Sequence, residues 1–276
     1  MMVRKTEMGP RVCLGCGIEL TGEVMTLEHA LPQWLAKEIE LPGVKLRHYI
    51  HDDRKPEDAL LRSYQLNTFG TKKVCCVCNN GWMSRLESDA KHDILGLMHQ
   101  KTNIMALNDG ARKVLSRWAV KTAFMISVVQ TIQFELPWRV FQSLGKHEND
   151  GPDGCFVLAS QQPNLPKGFI YTCPADGFVE GNPIQLRVGF SIDHLHFVVV
   201  IPIVQGPRFV RVAAALHVPL WPLDLHVLAC YTRAPENIGT PNQFLDFLTN
   251  LVEVALVSRN DVVRLEVAQS SVASTS

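Results

Sequence analysis

The chain has 276 residues, 46% hydrophobic and 20% charged, a balance that suits one large or two modest folded domains and excludes global disorder. Formal net charge is zero, and the first 101 residues carry 14 basic against 13 acidic side chains, so composition alone gives little support for a polyanion partner. No apolar stretch follows the basic start MMVRKTEMGPRV, and the most apolar run, FVVVIPIV at 197–204, is far short of the ~20 residues of a membrane helix. The expectation is a cytoplasmic protein with no membrane partner.

In chain order, residues 1 to about 40 read as a cysteine knuckle, an extended piece around Val24 to Leu27, and a helix from Pro32 that the Pro42-Gly43 pair stops. Residues 47–73 are polar and read as irregular, with RHYIHDDRKPED as a surface insertion. From Asn80 onward, Met83, Leu86, Ala90, Ile94, Leu97 and Met98 recur at three- and four-residue intervals and predict an amphipathic helix. A second helix is predicted from about Ala111 to Gln133.

On that second helix Lys113, Arg117 and Lys121 are four apart and share one face. No acidic residue stands between Asp109 and Glu135, so the stripe reads either as a solvated basic face or as a contact for DNA phosphates, with Arg85 on the preceding helix as a further candidate. After the GPDG break at 151–154, short β-rich runs such as CFVLAS, IQLRVGFSI and LHFVVVIPIV follow one another between turn residues. A last helix is predicted at 241–258, with a small polar tail beyond it.

Eight cysteines in a reducing compartment are not expected to pair as disulfides, and CxxC units far apart in the chain point to a metal instead. Cys13 with Cys16, and Cys75 with Cys78, form two such units, each able to turn two thiolates toward one tetrahedral ion at ~2.3 Å. Four thiolates fill the coordination sphere of zinc, so this ion should hold structure and do no chemistry. Cys76 is the spare of its cluster, and Cys155, Cys173 and Cys230 sit singly as small core residues. A thiol redox protein is a weaker reading, because no thioredoxin-like βαβ pattern surrounds these pairs.

The interval between the two units contains Glu28-His29, and the second unit runs directly into Asn79-Asn80. An amide oxygen is a hard neutral ligand for Mg²⁺ or Mn²⁺, a single carboxylate such as Glu28 would complete the protein's share of a water-rich site, and His29 could take a proton from water. Asn80 reads as a helix cap, and Trp34 and Trp82 as core packing. His48, His51, Asp52 and Asp53 form a weaker metal-ligand cluster.

LEHALPQW followed by CVCNN, framed by CxxC pairs, resembles the zinc-framed members of the HNH (ββα-metal) endonucleases over roughly residues 11–90. The resemblance implies a zinc-stabilised ββα-metal module at 1–100; with the helices and β-rich runs read from the sequence, the expectation is an α+β chain in which 101–276 forms a helical connector and a mainly antiparallel β, α+β domain of unassigned role. The resemblance also implies that Glu28 and Asn79 hold a catalytic Mg²⁺ or Mn²⁺, that His29 is the general base, and that DNA is cut to 5′-phosphate and 3′-hydroxyl ends, as in phage and mobile-element enzymes. Asn67 is the nearest counterpart of the family's middle asparagine, and Glu28 stands where aspartate is commoner. On the endonuclease reading the C-terminal region serves recognition or a protein partner; the alternative from another class is a non-catalytic four-cysteine zinc module binding nucleic acid or protein.

Overall fold

The computed structural model describes residues 11–39, 45–50, 59–65, 69–129, 136–147, 150–152, 154–161, 169–172, 175–179, 182–203, 208–211, 218–221, 226–227 and 253–257. The chain is a mixture of helices and antiparallel sheets with a cysteine cluster near its N-terminus. Among the described residues no helix is long and apolar enough to cross a membrane.

β1 (Met25–His29) pairs antiparallel with β4 (Gly70–Cys75). The register slips by one between Thr26 and Glu28, so Lys72 and Lys73 together oppose Leu27. That is a β-bulge, and it explains why two consecutive lysines of β4 are both exposed where a regular strand would turn one inward. Backbone bonds continue the pairing past both ends, from Ala30 N–H to Phe69 O (2.8 Å) and from Cys76 N–H to Val24 O (2.8 Å). Gly70 is required here: a Cβ at this position would collide with the Glu28 carbonyl oxygen, so the two strands could not close.

α1 (Gln33–Glu38) starts after Pro32, as the sequence suggests. Between α1 and β4 the polar stretch is not irregular throughout: β2 (Lys45–Ile50) and β3 (Ala59–Gln65) form an antiparallel pair. Its register sets Leu46 opposite Tyr64 and Tyr49 opposite Leu60. His51, Asp52, Asp53 and Asn67 lie outside the described residues.

β4 passes without a loop into a helical turn, α2 (Cys76–Cys78), a wide turn at Asn79–Met83, and α3 (Ser84–Met98). Cys75, not Asn80, caps this run, its Sγ accepting the Cys78 N–H. Gly81 has non-helical angles (φ −92°, ψ −114°), which kinks the entry into α3. All six apolar residues of the sequence period are buried.

α4 (Asp109–Val129) is the central element, with every residue from Leu115 to Val128 buried. A helix enclosed on all sides is apolar around its circumference, and AVKTAFMISVV meets that requirement except at Lys121, Thr122 and Ser127, the serine hydroxyl donating to Ala123 O at 2.7 Å. α4 packs against α3 and β4 on one side and against α5 (Trp138–Lys146) and the large sheet on others. Trp118 sits 5.9 Å from Phe190 and 5.7 Å from Phe197, ring to ring.

The large sheet contains β5 (Phe156–Gln161), β6 (Phe169–Thr172), β7 (Ala175–Val179), β8 (Asn182–Ile192), β9 (Leu195–Pro202) and β11 (Val218–Trp221), in the order β11-β5-β9-β8-β6, with β7 also on β8. β8 is long enough to pair with β6 along one half and β7 along the other. A smaller sheet joins β10 (Arg208–Arg211), β13 (Glu253–Val257) and β12 (His226–Val227). The helix predicted over 241–258 is therefore corrected at 253–257, where EVALV pairs with β10; cross-strand partners decide the state of such a β-branched run. The remainder of that prediction, and Cys173 and Cys230, lie outside the described residues.

A continuous apolar core runs from Cys13 to Leu220. Phe69, beside β4, stacks on Tyr171 of β6 at 5.3 Å. Gln161 of β5 bonds Leu97 O (2.9 Å) and Thr102 O (2.8 Å) and accepts from Ile104 N–H (2.7 Å), so the sheet fixes the end of α3.

Candidate functional site

Cys13, Cys16, Cys75 and Cys78 come together with their sulfurs all within 4.8 Å of one another. The Cys16 and Cys75 sulfurs are 3.7 Å apart. A tetrahedral ion at ~2.3 Å from each sulfur would space them by about 3.8 Å, a spacing that the Cys16–Cys75 pair already has and that the whole set approaches to within about 1 Å. The four-cysteine reading of the sequence holds as a group that can bind a metal such as zinc; Cys76 lies outside it, and Cys155 is buried.

Local geometry makes the cluster. The first knuckle closes through Gly17 N–H to Cys13 O and Cys13 N–H to Ile18 O, both 2.7 Å, with Gly17 at φ +80°, a conformation that suits glycine. Leu14 N–H then docks this loop on Lys73 O of β4 at 2.9 Å. Backbone donors also reach the sulfurs, Cys75 N–H to Cys13 (3.2 Å) and Cys78 N–H to Cys75 (3.4 Å). Burial pushes the Cys13 thiol upward, but N–H groups from Cys75, Cys16 and Gly15 outweigh it and hold the thiol below its ordinary value. Burial, with the other thiols close by, drives Cys78 far up. A metal binding here must displace the thiol proton of Cys78 against that upward push.

Asn79 follows the last cysteine directly. Its amide nitrogen donates to Thr26 Oγ1 and to Leu27 O, both at 3.3 Å. A carbonyl can only accept, so the nitrogen must be the end facing β1 and the amide oxygen the end turned away. The contact ties the cysteine knuckle to the strand just before Glu28 and His29. Those two residues alternate: Glu28 is buried and His29, opposite Gly70, is half-buried, as neighbours on an extended strand must be.

Glu28 meets Lys121. The Lys121 ammonium, fully buried, contacts Glu28 Oε1 and lies 2.6 Å from Glu87 Oε1, joining β1, α3 and α4 through one nitrogen. Burial alone would lower the lysine, but the two carboxylates outweigh it and hold the ammonium above its ordinary value. Burial pushes the Glu28 carboxyl upward; Lys121 opposes that push and Glu87 adds to it.

The basic stripe expected on α4 is therefore not at the surface. Lys121 is interior, Arg117 is buried and donates to Leu144 O of α5 at 2.6 Å, and Lys113 is half-buried. The physical reason is that α4 is enclosed from Leu115 to Val128, so Arg117 and Lys121 find partners inside. Arg85 is exposed on α3, and Asn80 is exposed beyond Asn79. Trp82 packs edge-on against Phe141 at 5.5 Å, and Trp34 is half-buried with Lys91 Nζ 5.4 Å above its ring. Elsewhere His196 is buried and bonded to Ser191 Oγ at 2.8 Å, within the large sheet.

No protein-family model, curated protein or solved structure matches the chain. Sequence reasoning missed the roles of Lys121 and Glu87. A signal was present: one lysine in an otherwise apolar helical run must find an acid when buried, and none is available nearby on its own helix.

Proposed function

We propose that the chain is a zinc-framed HNH endonuclease that hydrolyses phosphodiester bonds in DNA. The observation that carries the reading is the attachment of Asn79, the residue after the last cysteine, to β1 immediately ahead of Glu28-His29. Two antiparallel strands and the helix that follows the knuckle supply the ββα frame of that reading.

The donor chemistry suits a hard divalent ion: one carboxylate and one amide oxygen, with room in the ligand set for water. Lys121 engages Glu28 through Oε1. Glu28 and Asn79 would hold Mg²⁺ or Mn²⁺, which when bound supplies Lewis acidity to the scissile phosphate. His29 accepts the proton of the attacking water at an imidazole nitrogen. Zinc at the four cysteines keeps Asn79 and β1 in register.

A second reading draws on the buried lysine. Because Glu28 already has a cationic partner, the chain can equally serve as a zinc module that binds nucleic acid or protein without cutting. Zinc-loaded full-length protein and its His29→Ala variant, incubated with supercoiled plasmid, linear duplex, branched DNA and RNA in Mg²⁺, Mn²⁺ or chelator, separate the two. Metal-dependent nicking lost in the variant, with zinc and fold retained, is the expected result. An inert, folded, zinc-replete wild type would remove the enzyme and leave the binding module.

A further inference from the structure

Three residues distant in sequence meet at one buried nitrogen. Glu28 is the last residue but one of β1, beside His29, Glu87 lies in the first turn of α3, and Lys121 is midway along α4. The side chain of Lys121 is 0% exposed, that of Glu28 6% and that of Glu87 21%. Burying such a triad is a poor way to hold a fold, since apolar residues of similar volume are commonly as stable or more so. Its members are also connected to the cysteine centre: Cys78 opens the turn that leads into α3, and Glu87 follows eight residues after Asn79.

We propose that Lys121 is a positioning residue for Glu28, with Glu87 aiming its ammonium. The chain of constraint runs from the cysteine centre through α3 to Glu87, from Glu87 to Lys121, and from Lys121 to the carboxylate beside His29. Glu28 is thereby held in one orientation by an internal cation, as carboxylates that ligate a metal are held by hydrogen bonds from behind. With both carboxylates ionised and the lysine protonated, the triad carries one surplus negative charge. That surplus favours a cation at Glu28, and a divalent one would more than offset it. The inference rests on the endonuclease reading for what the carboxylate is positioned to do, and it makes α4 part of the site.

The test uses the full-length zinc-loaded chain with Glu87→Gln, which leaves the Lys121–Glu28 contact in place, and with Asp89→Asn, an exposed control on the same helix. Four quantities are read: zinc content, the ¹H–¹⁵N signals of the His29 ring and Asn79 amide, Mn²⁺ affinity by electron paramagnetic resonance, and kcat and KM for plasmid nicking. The expected result for Glu87→Gln is intact fold and zinc, displaced His29 and Asn79 signals, and Mn²⁺ affinity and kcat each reduced about 10- to 100-fold with KM for DNA unchanged. Asp89→Asn should match wild type.

Unmoved His29 and Asn79 signals in Glu87→Gln overturn the proposal, whatever happens to thermal stability, because a merely structural triad would alter stability alone. If the wild type neither nicks nor binds Mn²⁺ but the signals still move, the positioning role stands and the endonuclease reading falls.

Discussion

Replacing Lys121 by methionine removes the ammonium and keeps most of the apolar stem, so the change isolates the charge. Glu28 would be left ionised in a nearly closed site, whereas Glu87, one-fifth exposed, can turn to water and add little. Removing one partner of a buried ion pair costs about 3–5 kcal/mol, most of it the stranded charge. With ~2.1 cal/mol/K of unfolding entropy per residue over this chain, the loss corresponds to a fall in Tm of roughly 5–9 °C.

The pH dependence has a definite sign. The lysine is held above its ordinary value of 10.5, so its contribution is complete below that value and disappears only as pH rises through the higher folded one. In the variant, acid supplies the proton that neutralises the orphaned Glu28, so lowering the pH relieves the strain. The stability gap between wild type and Lys121→Met should therefore be widest near neutral pH and narrow in both acid and alkali. Differential scanning calorimetry on zinc-loaded protein measures it, and adding Glu28→Gln to the variant should recover most of the loss. A gap under about 1 kcal/mol at neutral pH, the size of an exposed pair, would refute the burial argument.

Gly70→Ala forces a methyl against the Glu28 carbonyl, and relieving the overlap should cost about 1–3 kcal/mol and loosen β1 from β4; amide exchange at Glu28 and His29 should quicken, and unchanged exchange would refute the close fit. Zinc loading should release protons and weaken as pH falls, because the raised Cys78 thiol must deprotonate to bind. Calorimetric titration in buffers of different ionisation enthalpy measures this, and a proton-neutral binding event would count against a thiolate site. Stripping the metal should raise amide exchange in residues 11–39 and 69–80 while β5, β8 and β9 stay protected; uniform unfolding would show that the cluster supports the whole chain.

The cysteine spacing determined its own outcome, because two CxxC turns separated by 58 residues have few uses other than one shared ion, and the chain folds the four sulfurs together. The three- and four-residue period from Met83 to Met98 likewise named the buried face of α3, since a helix offers only one stripe to a core. Periodicity also located α4, but it could not show that the helix would be enclosed from every side. A lysine on a helix face looks the same in sequence whether it meets water or two carboxylates. Tertiary packing alone brought Glu28 and Glu87 to Lys121 from two other elements and turned an apparent basic surface into an interior ion triad. It also paired Lys45–Ile50 with Ala59–Gln65, and Glu253–Val257 with Arg208–Arg211. Strand partners are non-local, and short runs of mixed character take their state from the neighbour that completes their hydrogen bonds.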